Sequence, residues 1–152
     1  MIKNDYKNNL LKNGVLGFVT HGNSMWPFIK NKKTSVIVTK KENRLNVYDV
    51  AFYERADGSF VLHRVLEVKD DGYIITGDSQ TEKEYVLEPA VIGVLCGYYK
   101  GKTYIDCDST EYKNAVKDWY ADEDLRRKKI KSHYKKLSFK AKLKKLFTLG
   151  RS

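Results

Sequence analysis

Between residues 14 and 107 the chain repeats one pattern, short runs of β-branched and aromatic residues separated by Asn, Asp and Gly. "GVLGFVT", "TSVIVTK", "NVYDVAFYE" and "FVLHRVLEV" read as four strands, and "DDGYIITGD" continues the meander. Asp57-Gly58 marks a hairpin turn between the third and fourth runs. "AVIGVLCGYYKGKTYIDC" reads as a last hairpin, whose four-residue loop sets Cys96 opposite Cys107. The pattern predicts a mainly β fold, a mixed and mostly antiparallel sheet, after a polar N-terminus that reads as a short helix.

The pattern stops at "DCDSTEYKNAVKDWY". Asp108 and Glu111 have capping-box spacing, and Tyr112, Val116, Trp119 and Tyr120 recur at helical intervals, so a helix is expected to lay its apolar stripe on the sheet. Farther on, Ile130, Tyr134, Leu137 and Ala141 form one stripe, and Phe139, Leu143, Leu146 and Phe147 a second, with Lys between them. This predicts a basic amphipathic helix or a pair of them. Charge divides at the same place. All 19 acidic residues lie at or before Asp124, together with 17 Lys and Arg, whereas residues 125–152 carry 12 basic side chains and no acidic one. The expected organisation is a β domain over 1–108 and a helical basic tail over 109–152.

A chain of 152 residues suits one compact domain with a real core. The longest apolar run, "AVIGVLCGYY", is about half of what a bilayer span needs. The start, "MIKNDYKNNLLKNG", has no apolar h-region, so cytoplasmic residence is the expectation. There Cys96 and Cys107 stay reduced and serve as packing residues. Neither has companions at metal-ligand spacing, and no metal or cofactor is implied.

The chemistry concentrates in "THGNSMWPFIKN", residues 20–31. A serine hydroxyl attacks a carbonyl only with a nearby base, a group that orients the base, and donors for the oxyanion. The chain has three histidines to supply that base for Ser24. His133 lies in the basic tail, where neighbouring charges oppose a second proton. His21 is three residues before Ser24, and His63 sits on the separate strand "FVLHRVLEV". Physical chemistry alone leaves His21 and His63 both open.

"GNSMWPFI" resembles the Ser-Met-x-Pro box of the signal peptidase I superfamily, which includes the LexA-like autoproteases. "LNVYDVAFY", "VLHRVLEV" and "GYIITGDSQ" resemble the boxes that follow it there, in order, over residues 15–96. The resemblance implies a signal peptidase/LexA-like fold and a serine endopeptidase cutting a leader-type peptide or protein precursor. Ser24 is then the nucleophile and His63 the base, the pattern of the endoplasmic-reticulum and archaeal branch, where others use lysine. Asp78 corresponds to the carboxylate that orients the histidine, with Glu84 ranked second. Gly22 stands where many members have a hydroxyl residue, so the oxyanion would rest on backbone amides of the Gly22-Asn23-Ser24 turn. Met25, Asp49 and Arg64 read as structural.

The family's N-terminal anchor has no counterpart here, so any attachment falls to the tail. A basic helix with apolar stripes suits peripheral binding to an anionic membrane surface. No nucleic-acid reader motif is present, and no sequence-specific nucleic acid is expected. The alternative to an enzyme is a non-catalytic adaptor that keeps the peptidase fold and binds membrane or nucleic acid through its tail.

Overall fold

A computed structural model of the chain describes residues 3–150. It divides into two compact units, Met1–Val116 and Lys117–Ser152. The boundary thus falls after Val116 and not after residue 108. The first unit opens with α1 (Lys3–Asn13). Eight strands follow: β1 (Val15–Val19), β2 (Ser35–Lys40), β3 (Val50–Glu54), β4 (Phe60–Lys69), β5 (Gly72–Thr76), β6 (Glu84–Leu87), β7 (Val91–Lys100) and β8 (Thr103–Asp106). Helix α2 (Thr110–Ala121) begins in this unit and ends in the second, which holds α3 (Glu123–Leu149).

The strands form one sheet in the order β1-β2-β7-β3-β4-β5-β6, with β8 also on β7. Every pair is antiparallel, so the expected mixture of directions is corrected. Strand β7 is long enough to meet β3 with its first residues and β8 with its last, while β2 runs along its other edge. Strand β6, "EYVL", has no counterpart in the sequence reading; it pairs with β5 from Gly72↔Leu87 to Ile75↔Glu84. One core cluster gathers Leu45, Ala51, Tyr53, Val65, Tyr73, Ile75, Val86 and Val91. Each large apolar side chain buried there contributes about 1.5–3 kcal/mol. The buried Tyr73 hydroxyl accepts the amide of Leu45, so its polar end is satisfied.

The last hairpin is tighter than expected. Lys100 pairs with Thr103 across a two-residue turn, not a four-residue loop. Cys107 does face Cys96, its amide donating to the Cys96 carbonyl at 3.1 Å. Both thiols are free, and burial pushes Cys107 up to about 12 and raises Cys96 as well, which keeps them protonated and unreactive.

The cap of α2 is Ser109, whose hydroxyl accepts the Tyr112 amide, and not Asp108. Asp108 instead gives its own amide to the Asp106 side chain, one residue too early to start the helix. Tyr112 and Val116 are buried as the stripe requires. Trp119 and Tyr120 lie beneath cations, of Lys129 and Arg126 respectively. In the second unit α3 is a single helix, begun by the Asp122 side chain, which accepts the Leu125 amide. Among the described residues no helix is long and apolar enough to cross a membrane.

Candidate active site

A cavity of about 350 Å³ opens beside the turn that carries Ser24. Ser24, His63 and His21 all line it, with an apolar wall that includes Tyr6, Phe18 and Phe60. The sequence-named serine and both candidate bases therefore meet in one place, although 39 residues separate Ser24 from His63 along the chain.

The two histidines differ in how they are held. His21 is exposed and forms no hydrogen bond among the described residues. His63 is 4% exposed, on the central strand β4, and its Nδ1 lies 3.2 Å from both Glu84 Oε1 and the Tyr53 hydroxyl. Tyr53 donates its only hydrogen to Glu84, and an ionised carboxylate has none to donate. The proton on a neutral His63 ring must therefore sit on Nδ1, which leaves Nε2 with a bare lone pair. Burial lowers the His63 pKa below the ordinary imidazole value, against the opposing pull of Glu84. The ring is neutral near pH 7 and ready to take a proton. Burial alone would raise Glu84, but the bonds from Arg55, Tyr53 and His63 outweigh it and hold the carboxyl below its usual range.

The carboxylate on His63 is Glu84, which corrects the assignment of Asp78. Sheet register supplies the reason. His63 faces Ala51 on β3, and Tyr53 lies two residues along, on the same side. Val65, two residues beyond His63, pairs with Ile75, and Ile75 pairs with Glu84. Residues 53, 63 and 84 thus share one face. Arg64 points to the other face, pairs with Thr76, and meets the carboxylate two residues past Thr76, that of Asp78. Arg64 Nε and Nη2 grip the two Asp78 oxygens at 2.7 and 2.6 Å, with both side chains fully buried. Arg64 Nη1 also donates to the Tyr48 carbonyl and the Tyr112 hydroxyl, so Arg64 is a structural brace as expected.

The box around Asp78 bears on Ser24 through its other residues. The Ser79 amide donates to the Ser24 carbonyl at 2.9 Å, and the Ser79 hydroxyl to the Asn23 carbonyl at 2.6 Å. A Cβ on Gly77 would come within 2.6 Å of that same Ser24 carbonyl, so only glycine lets the two segments lie this close. Met25 is buried beneath the turn, as read from the sequence. Asp49 closes its own turn by accepting the Asn46 amide.

Gly22 has φ +95°, which a side chain would strain. Its amide is committed to the Asn31 side chain at 2.8 Å, so Gly22 leaves the set of oxyanion donors and acts through backbone shape alone. The amides of Asn23 and Ser24 donate to no group among the described residues. The Ser24 hydroxyl and His63 form no hydrogen bond with each other. No cluster of three His, Cys, Asp or Glu among the described residues is placed to hold a metal.

Tyr53 and Arg55 are the site residues that the sequence reading lacked. The signal was present in the Asp57-Gly58 hairpin, since its register sets Tyr53 diagonal to His63. No protein-family model matches the chain, and no curated protein matches it.

Proposed function

We propose that this chain is a serine endopeptidase with a signal peptidase/LexA-like fold, cutting a leader-type peptide or protein precursor. The observation that carries this reading is the bare Nε2 of a buried, carboxylate-held His63 in the cavity that also holds Ser24. A core histidine held only for packing needs no open cavity beside a serine.

In this reading the Ser24 oxygen attacks the scissile carbonyl carbon while His63 Nε2 takes its proton. Negative charge moves to the carbonyl oxygen, which the free amides of Asn23 and Ser24 receive. Glu84 stabilises the imidazolium that forms, through the Nδ1 proton. The tetrahedral intermediate collapses as the C–N bond breaks and His63 returns the proton to the leaving amine. Water then attacks the acyl carbon, again giving a proton to His63, and frees Ser24. An extended substrate would lie along β1, an edge strand that supplies Phe18 and Val19 to the cavity.

The test is incubation of a mixed peptide library with the wild-type chain and Ser24→Ala, read by mass spectrometry for new termini. Cuts by the wild type should fall roughly 10⁴-fold or more in the variant. Equal cutting by both, or none by either at any pH between the Glu and Lys ranges, would reject the peptidase and favour an adaptor that keeps the fold.

A further inference from the structure

The two apolar stripes of α3 have different fates. Of the first, Ile130 is buried and Leu137 half-buried. Tyr134 of the first stripe is 40% exposed and Leu143 of the second 38%, but the rest of the second stands well out in water: Phe139 is 62% exposed, Leu146 67% and Phe147 76%. The four of the second stripe recur at i, i+4, i+7 and i+8, so they form one ridge on the last turns of the helix, about 12 Å long. Such a ridge needs a reason to stay exposed.

Its borders supply one. On the helical wheel Lys135 and Lys142 flank the ridge on one side, Lys140 and Lys144 on the other, and Lys136 stands one turn before Lys140. No acidic residue occurs after Asp124. A partner must therefore take apolar side chains into its interior and meet ammonium groups on both sides with negative charge. Two copies of the tail would repel one another. A nucleic acid would take the lysines and leave the Phe and Leu ridge in water. An anionic bilayer satisfies both demands, since aliphatic lysine stems lie along the ridge while their heads reach the lipid phosphates.

We propose that the ridge Phe139, Leu143, Leu146 and Phe147 docks α3 on an anionic membrane surface, lying in the plane of the headgroups with the Ile130 stripe turned away. This does not rest on peptidase activity.

The full chain would be sedimented with phosphatidylcholine vesicles with and without phosphatidylglycerol. Expected is strong binding that requires phosphatidylglycerol. Phe139→Ser with Phe147→Ser should weaken it about tenfold or more, because both rings lose their burial in lipid. Lys140→Gln with Lys144→Gln should weaken it and reduce its dependence on phosphatidylglycerol. Retained helicity by circular dichroism separates these effects from unfolding, and Phe147→Trp should be quenched by brominated lipid. Absence of vesicle binding would overturn the proposal. So would binding unchanged by the double Phe variant, or binding to an RNA or duplex oligonucleotide in place of vesicles. Ser24→Ala should sediment like the wild type, so a failed peptidase assay and a failed docking assay stay distinct.

Discussion

His63 and Arg64 are adjacent on β4, and each meets a carboxylate, yet the two couples behave as opposites. Arg64 and Asp78 are sealed from solvent, bonded at two points, and tied on to Tyr48 and Tyr112. His63 is nearly as buried, but its partner Glu84 is 34% exposed, shares its charge with Arg55 and Tyr53, and leaves one histidine nitrogen to the cavity. One step along a strand turns a side chain to the other face. A buried pair whose oxygens are both taken up by its own partner is committed to that contact, so it supports shape. A half-satisfied ring with a lowered pKa is able to exchange a proton, so it supports chemistry.

The sharpest way to break this contrast is to remove each member in turn. His63→Gln should lower kcat/KM roughly 10⁴-fold or more while leaving the thermal midpoint nearly unchanged. It should also flatten the acid side of the stability curve. The folded ring resists protonation and the unfolded chain does not, so its contribution is full above the ordinary histidine pKa and lost as pH falls below it. Urea unfolding at a series of pH values measures this. A variant that unfolds and retains activity when refolded would assign His63 to the core.

Asp78→Asn should show the reverse. It leaves the Arg64 charge buried without its counter-ion, at a cost of about 3–5 kcal/mol in urea or thermal unfolding. The fraction that remains folded should keep a kcat near that of the wild type, with the acid limb of kcat/KM moved down less than in Glu84→Gln, because both Asp78 oxygens are held by Arg64 and the Asp78 charge raises the His63 pKa less than Glu84 does. A stable Asp78→Asn protein whose acid limb moves as far as that of Glu84→Gln would return this carboxylate to the proposed catalytic couple.

Much of this is legible in the amino-acid sequence. The β-branched runs of β2 to β5 and the hairpin at Asp57-Gly58 stand out because sheet burial demands alternation, and the Ser24 turn stands out because Gly22 and Pro27 frame it. What escaped was β6, four residues long and opened by a charged side chain, a poor match to any strand template. Without β6, Glu84 has no face, and the resemblance of "GYIITGDSQ" to a Gly-Asp box places Asp78 first and Glu84 second. The choice between the two is one of parity, which pairing register alone determines. The capping and hairpin-loop differences are of the same kind, displacements of one or two residues at element ends where local signals overlap.

Within the proposed catalytic couple the next effect is that of Glu84→Gln. Stability should change little, because Glu84 is partly in water and Arg55 can turn to solvent. Activity should fall roughly 100-fold, since the amide either accepts the Nδ1 proton weakly or donates and reverses the tautomer. The fully ionised partner raises the histidine pKa, so its loss should move the acid limb of kcat/KM to lower pH. A limb moving upward would mean that another group titrates there.

The smallest effect tests how the couple is divided between Glu84 and Tyr53, which both stand 3.2 Å from Nδ1. Tyr53→Phe removes a hydroxyl that donates to Glu84 and that can only accept from the ring. The tautomer survives, because the remaining partner is still an acceptor. Glu84 loses one of the donors that keep its pKa low, but Arg55 remains, so it stays ionised at neutral pH. The expected loss is under about tenfold in kcat/KM and about 1 kcal/mol in stability, the value of one hydrogen bond. A loss as deep as that of Glu84→Gln would mean that the histidine proton rests on the tyrosine oxygen, with Glu84 acting through it. Glu84 would then be a positioning residue for Tyr53, and the double variant would lose no more than either single one.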